Sequence, residues 1–163
     1  MFKNKNILIT GGFGMIGRAL ISLLEKQDCN ITIADISNQK IVPENINFKK
    51  VDLRHFDQCI EICKNMDYVF NLVGIKGSPQ VAINNPADFM VPMLQFNTNM
   101  MEAARIADVE WYLYTSSVGV YAPSELFSED SVWKTFPSPN DRFAGWAKRI
   151  GELQAEAYSI QYN

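Results

Sequence analysis

Thr10-Gly11-Gly12-Phe13-Gly14-Met15-Ile16-Gly17 is the stretch that decides the fold. The apolar run Ile7-Leu8-Ile9 precedes it, and residues 16–24 follow with a helix-like apolar pattern. Strand, glycine turn and helix, in that order, bring backbone N–H groups at a helix N-terminus onto a pyrophosphate. Gly11 permits the tight bend, Gly14 lets the backbone approach the phosphates, and Gly17 lets the helix lie close to the strand. Gly12-x-Gly14-x-x-Gly17 matches the general dinucleotide fingerprint, and the strand and helix that it requires stand on either side.

Outward from the turn, strand and helix patterns alternate. Residues 7–10 read as a first strand and 14–26 as a helix. Residues 30–35 (NITIAD) read as a second strand, rich in β-branched side chains and ending in Asp35. Residues 46–51 form a third, and 56–65 a short helix with His55 near its start. Residues 68–73 (YVFNLV) are the near-continuous apolar run of a strand buried on both faces. A polar loop, 74–86, leads into a long helix, 88–107, in which Pro92 must sit in the first turn or kink the axis. Residues 111–116 (WYLYTS) are a fifth strand. Residues 122–140, with Pro123, Pro137 and Pro139, read as irregular, and 143–158 as a last helix.

The alternation predicts a doubly wound α/β fold, a parallel sheet with helices on both faces and right-handed crossovers. No repeat or linker interrupts it, so residues 1–163 are expected to form one dinucleotide-binding domain. Five strands are counted where such sheets usually carry six. The chain is therefore expected to be the front part of a longer protein, without the last strands.

Composition narrows the partners. The 163 residues are 47% hydrophobic and 20% charged, with a net charge of −3. That balance belongs to an ordinary globular protein and argues against nucleic acid or an anionic membrane as partner. No apolar run approaches the roughly 20 residues of a membrane-spanning helix, and the start of the chain has no apolar leader segment. Cytoplasmic location is expected. Cys29, Cys59 and Cys63, an odd number without a C-x-x-C pair, fit reduced thiols. With a single histidine in the chain, no metal site is expected.

Asp35 stands 18 residues after Gly17. A carboxylate there can accept hydrogen bonds from both adenosine ribose hydroxyls and would repel a 2′-phosphate, which favours NAD over NADP. A solvated turn aspartate before Ser37-Asn38 is the plainer reading. Arg18 and Lys40 keep NADP open, because a nearby cation can accommodate the extra phosphate. In Asp52-Leu53-Arg54, after the third strand, the acid could reach an adenine amino group or cap the helix that follows.

The chain resembles the extended short-chain dehydrogenase/reductase family of nucleotide-sugar epimerases, dehydratases and reductases. The resemblance rests on Thr10 to Gly17, in which Gly11-x-x-Gly14-x-x-Gly17 has the family's spacing, with Asp35 and Asp52-Leu53-Arg54. It continues through Asn71-Leu72-Val73-Gly74, Glu102-Ala103-Ala104, residues 115–121 (TSSVGVY) and residues 145–152 (GWAKRIGE). Residues 73–76 with 85–89 look most like the GDP-sugar branch that contains GDP-fucose synthase.

The resemblance implies a Rossmann fold completed by a C-terminal substrate region, an NAD cofactor and a nucleotide-sugar substrate. It also implies a homodimer through helices 88–107 and 143–158, with Met100, Met101, Ile150 and Leu153 as its apolar surface unless these pack on the chain's own sheet. Gly11, Gly14, Met15, Ile16, Gly17, Asp35, Asp52, Leu53 and Lys148 are its cofactor-binding positions. Ser117 would hydrogen-bond the reacting sugar oxygen, and Lys148 is the lysine of the family's Tyr-x-x-x-Lys pair. That lysine holds the nicotinamide ribose and lowers the tyrosine pKa, so that the tyrosine can take the hydroxyl proton as hydride leaves.

Here the chain departs from the pattern. Ala144 stands four residues before Lys148, where the family has tyrosine, and alanine has no proton to move. Neighbouring Phe143 has no hydroxyl and points about 100° away around a helix. Met93 stands where the family often has asparagine. Losing a general acid/base costs a factor of about 10²–10⁴ in rate. Three readings stay open: a tyrosine exchanged to trap a complex, another acid/base with Tyr121 as nominee, or a non-catalytic dinucleotide-binding module or inactive fragment.

Overall fold

The structure is a computed structural model and describes residues 2–38 and 43–162. Five parallel strands form one sheet: β1 (Asn6–Thr10), β2 (Asn30–Asp35), β3 (Ile46–Lys50), β4 (Tyr68–Asn71) and β5 (Trp111–Tyr114), in the order β3-β2-β1-β4-β5. Chain order reverses beside β1, which pairs with β2 on one side and β4 on the other. In doubly wound sheets ligands bind outside the carboxyl ends of the strands at such a reversal. Thr10 is in register with both Ala34 and Asn71, so three strands end together there and Asp35 stands one residue beyond.

The chain divides into two compact units. The first takes residues up to Gly74 together with Phe96–Thr115, and the second takes Ile75–Gln95 and everything from Ser116 onward. The first unit holds the sheet. Ile7, Leu8 and Ile9 are completely buried, as expected of a central strand covered on both faces. Helix α1 (Met15–Leu24) turns Ile21 and Leu24 onto that core, and the Phe13 ring stacks on Phe48 at 5.3 Å. Helix α2 (Phe56–Cys63) buries Cys59, Ile62 and Cys63.

In the second unit the expected polar loop contains a short helix, α3 (Pro79–Asn84). Ser78 starts it by accepting the Val81 N–H, with Pro79 preset in the first turn. Helix α4 (Pro86–Ile106) begins earlier than expected, and Pro92 sits well inside it rather than in its first turn. Without an N–H, Pro92 leaves the Asp88 carbonyl without its helical partner, and the helix continues past it. The irregular stretch after β5 contains short 3₁₀ turns at Val118–Val120, Glu129–Lys134 and Pro139–Asp141. Helix α5 (Arg142–Tyr162) runs beyond the expected 143–158 at both ends.

Arg149 organises this unit. Its guanidinium is 1% exposed, donates to the Val120 carbonyl from Nε (3.0 Å) and Nη2 (2.5 Å), and donates to the Thr135 carbonyl from Nη1. Trp133 and Trp146 face it at 5.9 and 5.2 Å. Carbonyl dipoles and indole faces thus surround the cation and tie two points of the 116–140 segment to α5.

Candidate functional site

Two sets of candidate residues stand apart, one in each unit. In the first, Gly11 adopts φ +68°, which a side chain would strain, and a Cβ there would come within 3.2 Å of the Leu72 carbonyl oxygen. Gly17 is more constrained: a Cβ would stand 2.6 Å from the Gly12 backbone, so only glycine lets α1 come this close. Gly14 is the helix N-cap, is exposed, and brings no side-chain capping bond. Met15 and Ile16, 74% and 58% exposed, follow it. The N–H groups of a first helical turn have no partner within the helix.

Asp35 ends β2. Its Oδ1 accepts the Ser37 N–H at 2.9 Å and the Ser37 hydroxyl at 2.8 Å, so the turn-aspartate reading holds for that oxygen. Arg18 donates from Nε to the Phe13 carbonyl at 3.0 Å. Lys40 lies outside the described residues. The helix-cap alternative for Asp52 is corrected: His55 is the N-cap of α2, and Asp52 is held by Arg54 instead. Arg54 Nε reaches both carboxylate oxygens at 2.9 and 3.0 Å, and Nη2 reaches Oδ2 at 2.5 Å. That guanidinium holds the Asp52 carboxyl down at about 2. Leu53 is buried, its carbonyl accepting from Cys59 and Asn99.

Beneath the strand ends lies a polar cluster that periodicity did not foretell. Thr10 Oγ1 donates to Asn71 Oδ1 at 2.7 Å. Asn71 Nδ2 donates to the Tyr112 hydroxyl at 2.8 Å and to Asn97 Oδ1 at 3.3 Å, and Asn97 Nδ2 reaches the Tyr114 hydroxyl at 3.3 Å. The Thr115 hydroxyl donates to the Asn71 carbonyl at 2.8 Å, fixing the end of β5. The one polar residue inside YVFNLV was the signal for this cluster, because a buried amide requires partners.

In the second unit, Ser116, Ser117, Tyr121, Glu129, Trp133 and Glu152 are among the residues lining a cleft of about 580 Å³. Ser117 Oγ accepts the Gly119 N–H at 3.1 Å, which leaves its own proton to donate. Ser116 donates its hydroxyl to Glu152 Oε1. The Tyr121 ring packs on Phe127 at 5.2 Å. Lys148 is 7% exposed; burial pushes its ammonium down to about 8, and Glu152, one turn on, pulls it back up. Ala144 is half-buried and Met93 is 3% exposed, so neither departure from the family pattern opens a polar position. Met100 and Met101 are corrected as surface candidates: they are 0% and 4% exposed and pack inside the first unit, whereas Ile150 and Leu153 are exposed.

The strand order, the parallel pairing and the glycine turn between β1 and α1 define an α/β Rossmann-like fold. The chain belongs to the NAD dependent epimerase/dehydratase family, whose match runs over residues 7–163. It is 32% identical to GDP-mannose 3,5-epimerase 1 of Oryza sativa over 118 residues, 71% of this chain and 31% of that one. The structure of the epimerase Mth375 from Methanothermobacter thermautotrophicus is similar at a TM-score of 0.84 and 26% identity, over 99% of this chain and 49% of that one. A UDP-N-acetylglucosamine 4-epimerase from Methanobrevibacter ruminantium matches at 0.82 and 25% identity, over 99% of this chain and 52% of that one. The chain thus spans about a third to a half of the length of these relatives. Among the described residues no helix is long and apolar enough to cross a membrane.

The residues present fit a dinucleotide. Gly14, exposed at the start of α1, places no side chain over the N–H groups that follow it. Backbone N–H groups and the positive end of the helix suit a pyrophosphate there.

Proposed function

We propose that this chain is the NAD-binding domain of an epimerase/dehydratase-type oxidoreductase that acts on a nucleotide sugar. The observation that carries the reading is the open, uncapped N-terminus of α1 at the glycine turn, beside the carboxylate that ends β2. Gly11, Gly14 and Gly17, with the N–H groups of Met15 and Ile16, would hold the pyrophosphate. Asp35 would take the ribose hydroxyls, which favours NAD, and Asp52 and Leu53 would border the adenine. Bound NAD would supply a hydride acceptor. Ser117 would donate to the reacting sugar oxygen, Lys148 would hold the nicotinamide ribose, and Tyr121 stands in the same cleft as a further hydroxyl. The protein is read as cytoplasmic and as a homodimer, with the exposed Ile150 and Leu153 of α5 at the contact.

The test is hydride exchange into bound NAD or NADP by the full-length protein with GDP-mannose and UDP-glucose. Turnover is expected, with tighter binding of NAD than of NADP. Absence of turnover with both sugars and both cofactors, including after Ala144→Tyr, would sink the enzyme reading. It would favour a non-catalytic dinucleotide-binding module, which Ala144 also motivates. Sedimentation of the same preparation reads the oligomeric state, and a monomer would overturn the dimer.

A further inference from the structure

Ala144, Lys148 and Glu152 follow one another at four-residue intervals along α5 and so share one helix face. The first offers no proton and the second is a buried cation. The third is a carboxylate in the cleft, hydrogen-bonded by Ser116 and in company with Ser117 and Tyr121. A positioned side-chain carboxylate can serve as a general acid/base, which an alanine cannot. Glu129, the other acid lining the cleft, sits on a 3₁₀ turn and not on the face of Lys148.

We propose that the Glu152 carboxylate, one helical turn from Lys148 and hydrogen-bonded by Ser116, is the catalytic acid/base that takes the reacting hydroxyl's proton. The inference rests on the proposed function and supplies the proton route that position 144 lacks. The substrate O–H bond breaks and its proton passes to a Glu152 oxygen. The C–H bond on the same carbon breaks with its electron pair leaving as hydride for an oxidised nicotinamide, and a C=O bond forms. In the return direction Glu152 gives the proton back. Ser116 orients the carboxylate, and the Lys148 ammonium offsets the negative charge that gathers on the oxygen.

Four variants of the full-length protein test this: Glu152→Gln, Glu152→Ala, Ser116→Ala, and Glu152→Gln combined with Ala144→Tyr. Hydride transfer with GDP-mannose or UDP-glucose, whichever the wild type turns over, is expected to fall about 10²–10⁴-fold in Glu152→Gln. It should fall less than tenfold in Ser116→Ala, and recover at least tenfold when Ala144→Tyr is added to Glu152→Gln. Calorimetry gives a readout without turnover: Glu152→Ala should weaken the nucleotide sugar about tenfold and leave NAD affinity unchanged. Undiminished transfer in Glu152→Gln, an equal loss in Ser116→Ala, failure of the added tyrosine to rescue, or unchanged sugar affinity in Glu152→Ala would each overturn the assignment. A wild type without any hydride transfer would instead overturn the proposed function, so the two failures are told apart.

Discussion

In the turn from Thr10 to Gly17 the backbone does the shaping. Gly11 needs a positive φ, and Gly17 admits no Cβ because the Gly12 backbone is already there. In the cleft of residues 116–152 the side chains do it: a buried guanidinium gathers two carbonyls, and a serine and a glutamate meet across 36 positions of sequence. The first arrangement tolerates one residue type at each critical place. The second tolerates exchange, since a half-buried alanine at position 144 leaves α5 continuous from Arg142 to Tyr162. Chemistry held by side chains can therefore change while the fold that presents it stays.

Arg149→Ala should break the second region most severely. It removes charge-assisted hydrogen bonds worth about 1.5–3 kcal/mol and cation–π contacts of roughly 0.5–1 kcal/mol or more each. It also leaves the buried Val120 carbonyl without its donor. A loss of about 3–5 kcal/mol is expected in urea unfolding, read by the fluorescence of Trp133 and Trp146, both of which face the cation. NAD affinity should survive in conditions where the variant is folded. A neutral result would mean that the segment from 116 to 140 is held by its apolar contacts alone.

Gly17→Ala tests the first region. Alanine gains about 1 kcal/mol of helix propensity over glycine, but here its Cβ would stand 2.6 Å from backbone that cannot swing aside. Overpacking costs roughly 1–3 kcal/mol, so after the propensity gain the net loss should be about 1 kcal/mol, with NAD affinity falling as well. Stability equal to or above the wild type would show that α1 can slide along β1 without penalty.

The contrast also explains what could be read in advance. Gly11 and Gly17 leave a mark in sequence because no other residue meets their geometry, and β2 is found at the expected 30–35 because its β-branched run ends in a turn acid. Helix α3 escaped because six residues, largely exposed, carry no periodicity. Pro92 lies inside α4 and not in its first turn because the start of α4 is set by Pro86, a second proline that suits a first turn. The Asn71 cluster and the Arg149 cage escaped for a deeper reason. Tyr112, Asn97 and the Val120 carbonyl reach their partners only through sheet pairing and helix docking, and spacing along the chain carries no trace of either.

Lys148 sharpens the comparison by showing what a buried cation costs the fold. Burial lowers its pKa from 10.5 to about 8, so the folded state releases a proton that the unfolded chain still holds between those values. Where the unfolded state binds more protons, stability rises with pH, so the penalty of burying this residue is full below about pH 8 and is relieved as pH rises from there to 10.5. Cys59 and Cys63 act in the opposite direction above about pH 9, because burial raises their thiols to about 12 while unfolded thiols ionise. The difference between wild type and Lys148→Met removes the cysteine contribution. At pH 7 the methionine variant is expected to be more stable by about 1 kcal/mol, and the advantage should shrink to nothing by pH 10. The same variant should lose hydride transfer. A variant less stable than wild type at pH 7 would show that the buried ammonium is a net support of α5, not a burden that the fold carries for its site.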